Sequence, residues 1–363
     1  MAVTLGINGF GRIGRYLVRL LANDPELNTA VVNARADNES LARLFKYDSC
    51  HGTYPAEVKA NSDGFTVNGK QIVVTRYGHN EWKWADYGVD IAVESTGTVK
   101  DRAGLALHME RGAKKTVISA PCADADLTVV MGVNDHLYDP AQHDVISNAS
   151  CTTNCLAPVV KVLNDTFGVR HGLMTTVHSY TMSQRLLDGT HKDPRRGRAA
   201  AMSMIPTSTG AAKAVGLVIP ELAGKLNGMA IRVPTPNVSL VDLTCELGKS
   251  ATAEEINAAL REAAATTLKG NMGYTEEPLV SCDYMGSTFG GVVDGPCTSV
   301  MEGNMAKLII WYDNEAGFTN QLVRLLRKVG NSLQAFFRTY MPKARRTHVR
   351  RAFFTSAVSV RQT

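Results

Sequence analysis

Two cysteines stand four residues apart in SNASCTTNC (147–155), among serines, threonines and asparagines. Such a setting suits a thiol nucleophile, but the spacing also raises a metal site, a disulfide or a redox pair. A zinc site needs two further ligands, and no CxxC or HxxxH motif accompanies the pair, so no metal is expected. A disulfide inside one helical turn would be strained. The stretch follows a strand-like run, DVISN (144–148), and opens a helix-like one, TTNCLAPVVKVLNDTFG, which Pro158 would distort. Cys151 is therefore expected at a helix N-terminus, where the dipole favours a thiolate. Ser150, Thr152 and Thr153 offer donors for an oxyanion or a phosphate. Cys155, one turn further along the same face, reads as a small core residue. A nucleophilic thiol needs a base. In TTVHSYT, His178 closes a strand-like run and is followed by polar residues, a fitting place for a catalytic imidazole.

A second constellation lies at the N-terminus. GINGFGRIG supplies Gly9, Gly11 and Gly14 as GxGxxG, after a strand-like run and before a helical one. These glycines allow the tight turn, the approach of backbone to a pyrophosphate, and helix-on-strand packing. The helix N-terminus then meets the phosphates with free N–H groups. An acid about twenty residues on would bind the adenosine ribose. The second strand instead ends VVNARADNES, with Asn33, Ala34 and Arg35 at that place and Asp37 beyond it. The carboxylate that would repel a 2′-phosphate is missing, and a guanidinium adjoins the spot.

These residues need elements to hold them. Over 1–150, strand-like runs (3–7, 29–34, 90–95, 116–120, 144–148) alternate with helical patterns such as RIGRYLVRLLAND, whose Ile13, Leu17, Leu20 and Leu21 share one face. This is βαβ grammar and predicts a mostly parallel sheet. Beyond 150 the strand candidates lengthen (170–180, 229–247, 305–313). Thr252 and Glu255 stand in capping-box spacing before a helix that runs towards Gly270. Residues 181–206 form a long connection of little periodicity, and NEAGFTNQLVRLLRKVG reads as a last amphipathic helix.

Composition narrows the class. The chain has 363 residues, enough for two cored domains. No apolar run would span a membrane, and MAVTLGING lacks a basic and apolar leader, so a soluble cytoplasmic protein with reduced cysteines is expected. The net charge of +5 is a property of the tail: residues 331–363 hold seven Lys or Arg and no acid, leaving 32 basic against 34 acidic residues elsewhere. A nucleic-acid-binding core is not expected.

Taken in order, INGFGRIGR, KYDSCHGTY, AVESTG, SNASCTTNC, TTVHSYT, HKDPRRGRAA, PTSTGAAKAVG, IRVPTPNVSLVDL and WYDNEAGF resemble the phosphorylating glyceraldehyde-3-phosphate dehydrogenases over residues 2–330. The resemblance implies an α/β fold. An N-terminal Rossmann dinucleotide-binding domain (1–150) precedes an α+β catalytic domain (151–314) with a mainly antiparallel or mixed sheet. A helix at 315–330 returns to the first domain, and a basic tail (331–363) matches nothing in the family. It puts the nucleophile on Cys151 and the base on His178. Inorganic-phosphate contacts fall on Ser150, Thr152, Thr209 and Gly210, and substrate-phosphate contacts on Thr181, Arg196 and Arg232. Cofactor contacts fall on Gly9, Gly11, Arg12, Ile13, Gly14, Ala34, Arg35, Arg76, Ser119 and Asn314. The implied partners are a small phosphorylated aldehyde, inorganic phosphate and NADP or NAD, in a homotetramer.

Three departures bear on this. The family's ribose-binding Asp is Ala34, and a Leu-Pro common in NAD-using members is Gly189-Thr190; both point towards NADP. An Asp two residues after the substrate-binding Thr is Ser183. Erythrose-4-phosphate dehydrogenase shares the Cys–His pair and is the nearest alternative. An RNA-binding protein using KARRTHVRR as a basic arm is the alternative from another class.

Overall fold

The computed structural model describes residues 2–340, with side chains described up to residue 335. The first domain runs β1 (Val3–Asn8), α1 (Arg12–Leu21), β2 (Leu27–Asn33), α2 (Asn38–Lys46), then two-residue strands β3 (Tyr47–Asp48) and β4 (Gly52–Thr53). It continues with β5 (Val58–Asn61), β6 (Gly64–Val67), β7 (Lys70–Thr75), β8 (Ile91–Glu94), α3 (Arg102–Glu110), β9 (Lys115–Ile118), β10 (Leu127–Thr128) and β11 (Val145–Ser147). Nine of these strands make one sheet in the order β10-β11-β9-β8-β1-β2-β7-β6-β5. β1 pairs in parallel with β2 on one side and β8 on the other. The order therefore reverses at β1, and the crevice at its carboxyl end is where such sheets bind nucleotides. The expected parallel sheet is present and includes β7 beside β2, but β6 and β5 extend it through antiparallel pairings. Asn68 and Gly69 both have positive φ and join β6 to β7 in the manner of a tight hairpin.

The second domain runs α4 (Cys151–Phe167), β12 (Val169–Ser179), β13 (Ile205–Ser208), α5 (Ala211–Val218), β14 (Leu226–Val233) and β15 (Ser239–Leu247). It ends with α6 (Ala253–Ala265), β16 (Met272–Thr275), β17 (Gly291–Met301) and β18 (Met305–Tyr312), after which α7 (Ala316–Tyr340) packs back against the first domain. The sheet is mixed, in the order β13-β14-β12-β15-β18-β17-β16. Inward residues of β15, from Ser239 through Val241, Leu243 and Cys245 to Leu247, alternate with half-buried ones. That period of two packs one face of β15 on α4, while α6 covers β16 and β17, and among the described residues no helix is seen to cover the other face.

α4 passes unbroken through Pro158, because tertiary burial on every side outweighs one missing hydrogen bond. The single expected strand at 229–247 is two, β14 and β15, separated by Pro234 and Pro236. The capping box at Thr252 and Glu255 is present, although α6 stops at Ala265. α7 packs Leu322, Val323, Leu325, Leu326 and Val329 into the core beneath β1. A side chain at Gly330 would meet Val3 at 2.6 Å. The helix does not stop at 330: it continues to Tyr340, and Leu333 is buried. Residues 341–363, with KARRTHVRR among them, lie outside the described residues. No described helix is long and apolar enough to cross a membrane.

Candidate active site

The chain turns from β11 into α4 through Ala149, whose φ of 56° is uncommon for a residue with a Cβ. Ser150 then caps the helix, its hydroxyl accepting from the Thr153 N–H at 3.1 Å. This turn sets Cys151 on the first helical residue. Its sulfur lies 3.5 Å from Nε2 of His178, carried by the end of β12. Cys155 is fully buried one turn below, against the Ile310 carbonyl.

The other ring nitrogen of His178 decides the tautomer. Nδ1 lies 2.7 Å from the Ser179 carbonyl, which can only accept, so Nδ1 carries the proton. Arg232 also approaches Nδ1, at 2.8 Å, but it cannot donate to a nitrogen that is itself a donor; its partner is the same carbonyl, at 2.9 Å. The lone pair of Nε2 is thereby left facing the thiol. Burial, helped by the Arg232 charge, pushes the imidazole down to about 3. Burial also pushes the Cys151 thiol up, against the pull of Arg232 and Thr152. The resting pair is a thiol beside a neutral base, and attack requires proton transfer to Nε2.

A cavity of about 140 Å³ opens over this pair, lined among others by Ser150, Cys151, Thr152, His178, Thr209, Gly210 and Arg232. Two helix N-termini converge on it, α4 at Ser150 and α5 at Gly210. With the Arg232 guanidinium they make it attractive to an anion. Thr181 and Arg196 are outside its lining. They sit on the 181–206 connection, near enough for Arg196 to repel Arg232. The Arg196 Nε donates to Thr207 at 2.9 Å, and Ser183 lies 2.9 Å from the Thr181 hydroxyl.

The sequence reading missed the residues that hold these groups. Tyr312, fully buried, hydrogen-bonds both Thr152 and Thr176, at 2.9 and 2.7 Å, and meets the His178 ring edge-on. Ser179 and Ser239 both donate to Oδ1 of Asn314, at 2.7 and 3.0 Å. The amide is thus oriented, and among the described residues its Nδ2 has no protein partner. Ser179 and Ser239 stand at the ends of β12 and β15, and only strand pairing brings them together.

The glycine turn fits a dinucleotide. Gly9 has a φ of 106° and presses on the backbone of Ser95 and Thr96, and a Cβ on Gly14 would lie 2.2 Å from the Gly9 carbonyl. A Cβ on Gly11 would meet nothing within 4 Å, so that turn faces open space. Arg12 and Ile13 open α1 with N–H groups that lack helical acceptors. The Arg12 side chain is committed elsewhere, to Asp48 and Glu315. Ser119 follows β9 and donates to the Glu94 carbonyl at 3.1 Å. The β2–β7 register of Asn33 on Thr75 sets Ala34 beside Arg76. Arg76 Nη2 donates to the Ala36 carbonyl and to Asn38, each at 2.7 Å, while Arg35 is exposed. Asp37 is engaged in capping α2 through Ser40.

Comparison with known proteins agrees with this arrangement. Residues 3–102 match the NAD binding domain of glyceraldehyde 3-phosphate dehydrogenase, and residues 150–314 match its C-terminal domain. Glyceraldehyde-3-phosphate dehydrogenase 1 of Bacillus subtilis is 59% identical over 326 residues, 90% of this chain and 97% of its own. The glyceraldehyde-3-phosphate dehydrogenase of Geobacillus stearothermophilus is 57% identical over the same shares. Glyceraldehyde-3-phosphate dehydrogenase 2 of Bacillus subtilis is 49% identical over 91% of this chain and 97% of its own. The chain belongs to the glyceraldehyde-3-phosphate dehydrogenase family.

Proposed function

We infer that the chain oxidises D-glyceraldehyde 3-phosphate, with inorganic phosphate and a nicotinamide dinucleotide, to 1,3-bisphosphoglycerate. The Cys151–His178 contact at a cavity fed by two helix N-termini carries this reading. Nε2 of His178 takes the thiol proton, the Cys151 thiolate attacks the aldehyde carbon, and Nε2 returns the proton to the former carbonyl oxygen, giving a hemithioacetal hydroxyl and a free base. When bound, the nicotinamide ring supplies the hydride acceptor. As hydride leaves the former aldehyde carbon, Nε2 takes the hydroxyl proton and Cys151 is left as a thioester. Phosphate, held by Ser150, Thr152, Thr209 and Gly210, attacks the thioester carbon, and the Cys151 thiolate is expelled. Thr181, Arg196 and Arg232 hold the substrate's own phosphate. Asn314 holds the nicotinamide side through the amide nitrogen that Ser179 and Ser239 leave free. The comparisons favour neither erythrose-4-phosphate dehydrogenase nor an RNA-binding role.

The preferred cofactor is NADP. No carboxylate stands at the ribose position, Arg35 and Arg76 flank Ala34, and Asp37 is occupied as a helix cap. A charge-assisted bond to a 2′-phosphate contributes about 1.5–3 kcal/mol, roughly a ten- to hundredfold preference. The purified protein, assayed with the aldehyde and phosphate, should show a higher kcat/KM with NADP than with NAD. Ala34→Asp and Arg35→Leu should each move the ratio towards NAD. A wild-type preference for NAD would overturn the cofactor assignment; no acyl-phosphate formation with either cofactor would overturn the reaction.

A further inference from the structure

Arg12 carries a positive side chain into an already positive setting. It opens α1, where the helix dipole already places positive charge and where the family reading puts the pyrophosphate. A second positive group there is unfavourable unless it is compensated. The compensation is nearly complete. Nε donates to Glu315 Oε1 at 2.7 Å and Nη2 bonds the other Glu315 oxygen. Nη2 also reaches Asp48 Oδ1 at 3.0 Å, and Nη1 bonds Oδ2. One guanidinium thus makes forked contacts with two carboxylates that are themselves largely buried. Asp48 is in turn held by the N–H groups of Cys50 and His51, and Glu315 by Nε2 of His51 at 2.9 Å. Burial alone would raise the Glu315 carboxyl, but His51 and Arg12 leave it lowered, so it stays ionised.

The location of Glu315 gives this cluster a consequence. It directly follows Asn314, and the two neighbours are held from opposite sides. Asn314 is fixed by Ser179 and Ser239 of the catalytic sheet, Glu315 by Arg12 and His51 of the dinucleotide domain. We propose that the Arg12–Glu315 fork sets the spacing between the pyrophosphate and nicotinamide ends of the cofactor site, with both as positioning residues. The inference rests on the family reading and adds a coupling between two subsites. It predicts a loss confined to ligands that use both ends.

The test compares NAD and NADP with the shorter ligands ADP-ribose and its 2′-phosphate, which lack the nicotinamide, by titration calorimetry. Glu315→Gln keeps the shape and removes the charge. Arg12→Lys keeps the charge and the backbone N–H but loses the fork. In each, dinucleotide affinity should fall by roughly tenfold, at the lower end of coupling between sites, while the shorter ligand binds within about twofold of wild type. The Lys variant stands alone if the Gln variant fails to fold. Equal weakening of both ligand types, or of neither, overturns the proposal. Failure of wild type to bind any of the four overturns the family reading, and the proposal with it.

Discussion

At the scale of single residues, the two cysteines of one helix have opposite environments. Cys151 opens onto a cavity and touches a base; Cys155 is sealed under β18. Cys151→Ser should therefore abolish acyl-enzyme formation, whereas Cys155→Ala should largely keep activity. Alkylation with mass mapping separates them, and preferential labelling of Cys155 in the native protein would reverse the assignment. His178 makes a pH-dependent prediction as well as a kinetic one. His178→Asn should lower turnover by roughly a hundredfold, the scale of general-base loss. Its depressed proton affinity means that the unfolded chain, with an ordinary imidazole, binds more protons between pH 6.5 and about 3. Stability therefore rises with pH across that window and is lost as pH falls through it. At pH 5 the native state should be weakened by about 2 kcal/mol through this residue alone. Melting curves of wild type and His178→Asn should converge as pH drops from 7 to 5; parallel curves would show that the imidazole is not held neutral.

At the scale of elements, the last helix makes the sharpest statement. The family resemblance ends at 330. Yet α7 runs on to Tyr340 and buries Leu333 after Gly330 has passed Val3. The chain truncated after Tyr340, which keeps the whole of α7, is the reference. Truncation after Gly330 should cost about 2–5 kcal/mol relative to it, the usual effect of losing a buried Leu side chain. Equal melting temperatures for the two truncations would show that the extra turns contribute nothing. What the sequence could reveal follows the same division. The glycine turn, the Cys151 helix start and the Thr252 capping box are local, so composition and spacing disclosed them. The β6–β7 hairpin was legible too, through Asn68-Gly69 between alternating residues, and was overlooked beside the stronger βαβ rhythm. Tyr312 under Thr152, and Ser239 beside Ser179, were not legible. Each contact spans sixty or more residues and exists only once strands are registered.

At the scale of the whole molecule, the surface is harder to reconcile with a single copy. Met182, Leu186, Leu187, Met202 and Met204 are all exposed on the 181–206 connection, and Leu173 and Met229 on the uncovered sheet face. Single exposed apolar residues on a sheet face are ordinary, but a loop with five exposed large apolar residues is unusual for a monomer. A homotetramer, the assembly that the family resemblance implies, is one way to cover them. The same loop carries Thr181 and Arg196, assigned above to the substrate phosphate, so assembly and substrate affinity should be coupled. Leu187→Glu places a charge in the exposed patch and leaves both residues unsubstituted. Light scattering should show about four chains per particle in wild type and fewer in the variant. The KM for the phosphorylated aldehyde should rise severalfold in the dissociated species, and turnover at saturation should suffer less, because Cys151 and His178 sit on α4 and β12 rather than on the loop. A wild type that scatters as a monomer would remove the tetramer. Dissociation with an unchanged KM would show that the loop keeps its conformation without a neighbouring copy.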